Sequence, residues 1–319
     1  MALRTPICDL FGIEHPVFLA GMGQVAYADI CAAVSNAGGY GTLGMVAGPA
    51  ERVREEMRAT RALTDKPFGV DMLAALPEQM NACIDTIIEE GASSFITGLG
   101  VARPLIQKCH DHGLLVMAVC GRVSHAQRAE EAGCDAVVAQ GGEAGGHTGK
   151  VAGMALIPQI VDAVDIPVIA AGSIVDGRGL AAALSLGAQA VWIGTRFIAS
   201  HEAYASQKYK KRLCQAQGDE TLITRFYSGK PMRVLRNTYV EERERSGETP
   251  LPFPQQMMKS VQDGLLTFPD DERTDEERSC MPAGQGVGSI LEIMPAGDIV
   301  REVVRDAEAM LGRIDAYRS

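Results

Sequence analysis

The chain has no apolar run approaching the ~18 residues that a membrane-crossing helix needs, so a soluble protein is expected. Its first residues, MALRTPICDLFGIEHP, lack a basic stretch followed by a long apolar core. No secretory leader is therefore expected, and the cytoplasm is the expected compartment. Eight cysteines at 8, 31, 83, 109, 120, 134, 214 and 280 form no CxxC pair. Several sit in apolar segments such as VMAVC, which points to buried reduced thiols and away from a disulfide frame or a zinc site. Positive charge is also scarce: 30 Lys and Arg stand against 40 Asp and Glu, a net charge of −10. Nucleic-acid binding relies on clustered cations to release counterions, so that class is set aside. The one basic run, KYKKR at 208 to 212, reads as a solvated helix face. No GxSxG elbow, P-loop lysine or HExxH occurs, which disfavours hydrolase and kinase chemistry.

What is present is an alternation. Short apolar, β-branched runs recur as PVFLA (16 to 20), YGTLG (40 to 44), PFGVDM (67 to 72), SSFITG (93 to 98), LLVMAV (114 to 119), DAVVAQ (135 to 140), PVIAAG (167 to 172) and AVWIG (190 to 194). Between them lie segments with apolar residues every three or four positions, several ending in the glycine that commonly caps a helix. Each run plus the following segment makes one βα unit, and right-handed crossovers make the sheet parallel. Eight such units predict an α/β fold of the (β/α)8 TIM-barrel class. A doubly wound open sheet shares the alternation but usually has fewer strands and needs a crevice where strand order reverses.

After residue 202 the pattern changes. Residues 203–294 carry RFYSGKPMRVLRN, TPLPFPQQ, FPDDERTDEER and MPAGQGVGSI. A stretch this long without regular strand signals is usually functional, and its Met, Phe and Tyr content predicts a small, mainly helical lid over the barrel mouth, with DDERTDEER as an exposed loop. The amphipathic DIVREVVRDAEAMLGRI is expected to return to the barrel wall. The expected organisation is thus a barrel of 1–202 and 295–319 with a 203–294 insert.

Functional groups of such barrels gather after the C-terminal ends of the strands. AGSIVDGRG follows the seventh run and IGTRF closes the eighth, where phosphate commonly binds because glycine admits close backbone approach and N–H groups at a helix start favour an anion. Gly172, Ser173, Gly194 and Thr195 are the candidate donors; tight βα turns would leave the same glycines. AGMGQVA after the first run offers a flat wall at Gly21 and Gly23, although a simple turn looks alike. Together these loops describe a site for a flat phosphorylated cofactor such as flavin mononucleotide. The loop after the sixth run, GGEAGGHTGK, carries His147, whose ordinary pKa near 6.5 suits proton exchange. A lone histidine is more often structural, but this one overhangs the mouth. Glu143 either orients it or caps the next helix. His110 and His112 in KCHDHG resemble metal ligands, yet they precede the fifth run on the opposite face and lack a closed ligand set, so no metal is expected. His15, before the first run, is read as structural.

Taken together and in this order, HPVFLAGMG, TDKPFGV, EAGGHTG, PVIAAGSIVDGRG and IGTRF resemble the nitronate monooxygenase family, the former 2-nitropropane dioxygenases, over roughly residues 5 to 202. The FMN-dependent enoyl-acyl-carrier-protein reductases are similar enough to share nearly every motif. The resemblance implies an FMN-dependent oxidoreductase in which Ala20, Gly21 and Met22 line the flavin ring and Gly172, Ser173, Gly194 and Thr195 hold its phosphate. Asp71, Gln140, Gly145 and Gly146 complete the expected cofactor set, with His147 as the active-site histidine. It implies a small-molecule substrate: an alkyl nitronate oxidised with O2, or alternatively an enoyl thioester or quinone reduced with NAD(P)H. A homodimer stays open. Two positions depart from the pattern: Asp71 stands where many relatives have asparagine, and Val119 where one monooxygenase subgroup has lysine. A barrel like the inosine-monophosphate dehydrogenases would need a cysteine nucleophile after the sixth run, where this chain offers His147. A non-catalytic ligand-binding barrel is the remaining alternative.

Overall fold

The computed structural model describes residues 3–45, 49–72, 77–98, 103–266, 269 and 271–317, the side chains of 77–79 excepted. The strands are β1 (Val17–Leu19), β2 (Gly41–Met45), β3 (Phe68–Met72), β4 (Ser94–Thr97), β5 (Leu115–Cys120), β6 (Ala136–Gln140), β7 (Gly146–His147), β8 (Val168–Ala171), β9 (Ala190–Ile193), β10 (Thr221–Thr224) and β11 (Met232–Leu235). The helices are α1 (Pro6–Phe11), α2 (Ala28–Asn36), α3 (Ala50–Leu63), α4 (Pro77–Glu89), α5 (Arg103–His110), α6 (Val123–Ala132), α7 (Gly153–Val161), α8 (Gly177–Ser185), α9 (Thr195–Ile198), α10 (Gln207–Gln215), α11 (Thr238–Arg245), α12 (Gln255–Gln262) and α13 (Ala296–Ala316).

Eight strands form one all-parallel sheet in the order β1-β9-β8-β6-β5-β4-β3-β2. Its ends meet: Phe18 bridges Tyr40 in parallel, and Leu19 N–H donates to Tyr40 O at 2.9 Å while Tyr40 N–H donates to Val17 O at 2.8 Å. The sheet is therefore the expected eight-stranded barrel, with no free edge at the β1–β2 seam. The eight runs read from the sequence coincide with these strands to within a residue or two, because strands buried on both faces must be apolar throughout.

Alternation along each strand divides the side chains between two cores. Val17, Leu43, Phe68, Val70, Phe95, Val137 and Val191 point outward to the helices. Phe18, Tyr40, Ile96, Met117, Val138, Ile169 and Trp192 point inward and meet α1, whose Ile7, Cys8 and Phe11 close the barrel's lower end. Phe11 packs edge-on against Phe18 and Tyr40, each with ring centroids 5.1 Å apart, contacts worth about 0.5–1.5 kcal/mol each beyond area burial. With the lower end filled, the upper end alone remains for a ligand. α13 returns to the wall against α8 and α2. That approach is close: a Cβ on Gly177 would lie 2.2 Å from the Ala307 backbone nitrogen.

Residues 203–294 supply α10, α11 and α12, and also a feature the sequence did not announce. β10 and β11 pair antiparallel, and β11 adds β7, the strand that holds His147, with Met232 opposite His147 and Arg233 opposite Gly146. The hairpin residues TLIT and MRVL are short, and β7 is two residues of a glycine-rich loop, so neither carries enough alternation to signal a strand. The KYKKR run also differs from expectation. Tyr209 and Lys210 are buried, the latter donating from Nζ to His201 O at 3.2 Å, so two of the five residues pack inward and only part of the run is a solvated face. Of the DDERTDEER stretch, the described residues are exposed except Thr274. No helix among the described residues is long and apolar enough to cross a membrane.

Candidate active site

A cavity of about 830 Å³ opens at the upper end of the barrel, and it collects His147 and every candidate cofactor residue named from the sequence. Ala20, Gly21 and Met22 form one wall, Asp71 and Gln140 rise from the strands beneath, Gly145, Gly146 and His147 hang above, and Gly172, Ser173, Gly194 and Thr195 form the far corner. The first wall is wedged in place. A Cβ on Gly21 would stand 2.2 Å from Asp71 Cβ, and one on Gly44 would stand 2.3 Å from the Met22 amide nitrogen. Only glycine lets this loop lie flat between β2 and β3.

At the far corner, Gly172 and Ser173 both have positive φ, +114° and +53°. The second is an uncommon conformation for a residue with a side chain, and such positions tend to mark functional loops. Their amides have no hydrogen-bond partner among the described residues. The hydroxyls are engaged: Ser173 Oγ donates to Glu143 O at 2.9 Å and accepts from the Gly286 amide at 2.9 Å, while Thr195 Oγ1 accepts from the Gly284 amide at 3.0 Å. These contacts fasten the segment at 284–286 to the corner and bring Gly284 and Gly286 into the cavity lining.

His147 sits on β7 with its ring open to the cavity. Nε2 lies 2.8 Å from Ser228 Oγ, and Ser228 in turn accepts from the Lys230 amide and donates to the Lys230 carbonyl, both at 3.2 Å. The residue is open to the cavity, yet desolvation by the atoms packed around the ring, and secondarily the positive charge of Lys230, push its pKa down to about 4. The imidazole is neutral at pH 7. Glu143 does not reach it: both carboxylate oxygens accept from the Gly153 amide, at 2.9 and 3.0 Å, so Glu143 satisfies the start of α7. The backbone of His147 is held instead by Gln140, whose Nε2 donates to His147 O at 2.6 Å. Arg233 ties the lid sheet to the same loop, donating to Gly142 O at 3.1 Å.

Asp71 stands on β3, facing inward and pressed against Gly21. Burial pushes its carboxyl up to about 8. Several cavity residues were not singled out in the sequence. Lys230 lies with Nζ 4.3 Å from the centroid of the Phe253 ring, and Arg122 and His125 approach from the start of α6. They come from segments far apart in the chain and meet only through the lid and barrel connections. The SGKP turn before β11 was the one local hint, since a turn flanked by a lysine at a barrel mouth is a ligand-facing position. Two other histidines serve structure: His110 Nε2 pairs with Asp135 Oδ2 at 2.9 Å, and His112 Nδ1 lies 2.9 Å from Lys108 O. Among the described residues no three His, Cys, Asp or Glu converge as metal ligands. The cysteines are unbridged, and most are buried with their thiols pushed up by that burial, Cys120 and Cys134 to about 12.

A closed barrel with a glycine-lined cavity at the strands' C-terminal end and a histidine on β7 facing it is the architecture of a barrel oxidoreductase. The profile described as nitronate monooxygenase matches residues 4–90 and 81–306, and the chain belongs to that family, whose membership implies a flavin cofactor. A probable nitronate monooxygenase of Staphylococcus saprophyticus is 30% identical over 98% of this chain and 100% of its own. A Mycobacterium tuberculosis protein named (3aS,4S,5R,7aS)-5-hydroxy-7a-methyl-1-oxo-octahydro-1H-indene-4-carboxyl-CoA dehydrogenase is 42% identical, over 76% of this chain and 69% of its own. Among solved structures, FabK from Thermotoga maritima superimposes with a TM-score of 0.90 at 36% identity, covering 98% of this chain and 99% of that one.

Proposed function

We propose that the protein is an FMN-dependent nitronate monooxygenase, oxidising a small alkyl nitronate with O2. The observation that carries this reading is His147, fixed by Ser228 at a cavity that holds a flat wall on one side and an anion corner on the other. The residues present fit the cofactor. The cavity volume of about 830 Å³ leaves room for a substrate beside a flavin. The Ala20–Met22 wall has no side chain protruding at Gly21, where a Cβ would be blocked. The free amides of Gly172 and Ser173, with Thr195 opening α9, suit a phosphate. Gly194 completes that corner, Asp71 and Gln140 border the ring, and Gly145 and Gly146 let the roof pass close to it.

Bound FMN supplies the electron acceptance that returns to O2. The chain supplies orientation, charge and a place for a proton. Lys230 has no carboxylate partner among the described residues and faces the cavity, so it attracts a nitronate anion. His147 is uncharged and works through its tautomer. When Ser228 donates to Lys230 O, Nε2–H donates to Ser228 and Nδ1 is left as a base. When Ser228 donates to Nε2, Nδ1 carries the proton and stabilises an anion through a hydrogen bond. The second arrangement suits a nitronate, which arrives already deprotonated. The lid residues Phe253, Met257 and Met232 keep the chamber apolar and exclude water.

A second reading is favoured by one observation: Arg122 and Lys230 make the cavity's rim cationic in a chain of net charge −10. The phosphates of a carrier-bound acyl thioester match that rim, as does similarity to a CoA-thioester dehydrogenase and to FabK. Anaerobic mixing of the purified yellow protein with a nitronate, and separately with NADH, decides between them. Bleaching by the nitronate alone supports the monooxygenase; bleaching by NADH alone overturns it in favour of thioester reduction.

A further inference from the structure

Of the inward side chains nearest the cavity, Ala20, Gly44 and Ala171 are small and Val119 is apolar, while Asp71 and Gln140 carry polar groups. Gln140 is committed through Nε2 to the His147 carbonyl. Asp71 makes no hydrogen bond and no ion pair among the described residues, although it stands at the base of the site and abuts Gly21. A charged carboxylate in such a position would lack every compensation that buried charges require. A neutral carboxylic acid there is a hydrogen-bond donor aimed at whatever lies on the Gly21 wall. We infer that Asp71 is held as the neutral acid and donates a hydrogen bond to the bound flavin, so that its loss of a proton, and no change at His147, makes the flavin harder to reduce in alkali. The inference rests on the flavin reading of the cavity and holds whichever substrate is used.

The surroundings support a single titrating group. β2 contributes Thr42 and Gly44, β4 contributes Ser94 and Ile96, and the loop after β1 contributes Gly21 and Met22, none of which titrates. The residues that follow these strands in sequence outside the described set, 46–48, 73–76 and 99–102, are Val, Ala, Gly and Leu only. Arg122, His125, His147, Tyr209 and Lys230 line the same cavity. None of them acts on Asp71, whose rise to about 8 has burial as its one cause. The chemistry has a definite sign. Accepting electrons makes the ring more negative, which a donated hydrogen bond stabilises and a carboxylate opposes.

The test uses the flavin-loaded protein and reads the reduction potential of its bound flavin against dyes from about pH 6 to about pH 9.5, spanning the range where a raised carboxyl titrates. Wild type is compared with Asp71→Asn, which keeps the size and a donor but cannot ionise. The two should agree at the acid end. Toward alkali the wild type should fall below the variant as its relative affinity for reduced over oxidised flavin drops at least tenfold, about 30 mV for a two-electron couple. Ionisations of the flavin itself are common to both proteins and cancel in the difference. His147→Ala should keep the wild-type alkaline fall. Curves for wild type and Asp71→Asn that superimpose at every pH, or a fall abolished by His147→Ala, overturn the inference. Should Asp71→Asn not retain flavin, Asp71→Ser, which also offers a donor and cannot ionise, takes its place in the same difference: an alkaline fall of the wild type below it supports the inference, and superimposed curves overturn it. A wild-type protein that binds no flavin overturns the cofactor reading instead, so the two failures are distinct.

Discussion

Replacing Gly21 by alanine tests whether the flat wall of the site depends on a missing side chain. The new Cβ would sit 2.2 Å from Asp71 Cβ, 2.6 Å from Cγ and 2.3 Å from Oδ2, about 1 Å short of ordinary contact at 3.4 Å. Asp71 Cβ is rooted in β3 and cannot swing away, and on the other side the Met22 backbone rests on Gly44, where even a Cβ would stand 2.3 Å from the amide. The loop must therefore lift. Overpacking of this kind costs about 1–3 kcal/mol, which for a domain of this size lowers the melting temperature by roughly 2–6 °C. Flavin should be lost more readily, by at least tenfold in Kd, since the lifted loop enters its space. Differential scanning fluorimetry and equilibrium dialysis against FMN read both effects. Combining Gly21→Ala with Asp71→Gly removes the colliding atoms and should recover about 1 kcal/mol or more as a coupling energy. A Gly21→Ala protein that melts with the wild type and binds flavin equally would refute the wedge.

His147→Ala should retain flavin and its spectrum while turnover falls about 10²-fold or more, as followed by oxygen uptake. Because His147 is held neutral down to about pH 4 whereas an unfolded histidine gains its proton near 6.5, stability should fall as pH drops from 6.5 toward 4; His147→Ala should flatten that slope in urea titrations. Ser228→Ala removes the partner of Nε2; a decrease of about tenfold in kcat, with FMN affinity unchanged, is expected. Lys230→Met keeps a long apolar cover over Phe253 and deletes the charge; KM for an anionic substrate should rise about tenfold with kcat little changed, a split that steady-state kinetics resolves. Asp71 behaves oppositely to His147: its carboxyl is raised to about 8 against about 3.9 when unfolded, so its contribution to stability is present below about pH 4 and lost as pH rises from there through 8, and Asp71→Asn should gain on the wild type across that window in melts.

The barrel was legible because its strands are largely buried on both faces and read as mostly apolar runs, while the helices between show a helical period. The site glycines were legible for a related reason: loops that touch a ligand or a neighbouring backbone have no room for Cβ, as at Gly21 and Gly44. The antiparallel pairing of β7 with β11 was not, because two residues in a glycine-rich loop gain strand geometry only from their partner. Ser228, Lys230 and Phe253 escaped notice for the same reason. Their significance comes from standing beside His147 across more than eighty residues of chain, a proximity that no local pattern encodes. Glu143 could be read two ways in sequence, and only the position of the Gly153 amide decided that it closes a helix start.

The central claim is that a flavin in this cavity takes electrons from a nitronate beside His147. Anaerobic stopped-flow mixing of the flavin-loaded protein with an alkyl nitronate, followed near about 450 nm where oxidised flavin absorbs, tests it most directly. The account predicts rapid bleaching with the nitronate, recovery of colour on admitting O2, and no bleaching with NADH. A protein without flavin absorbance, or one bleached by NADH and indifferent to nitronates, would contradict it.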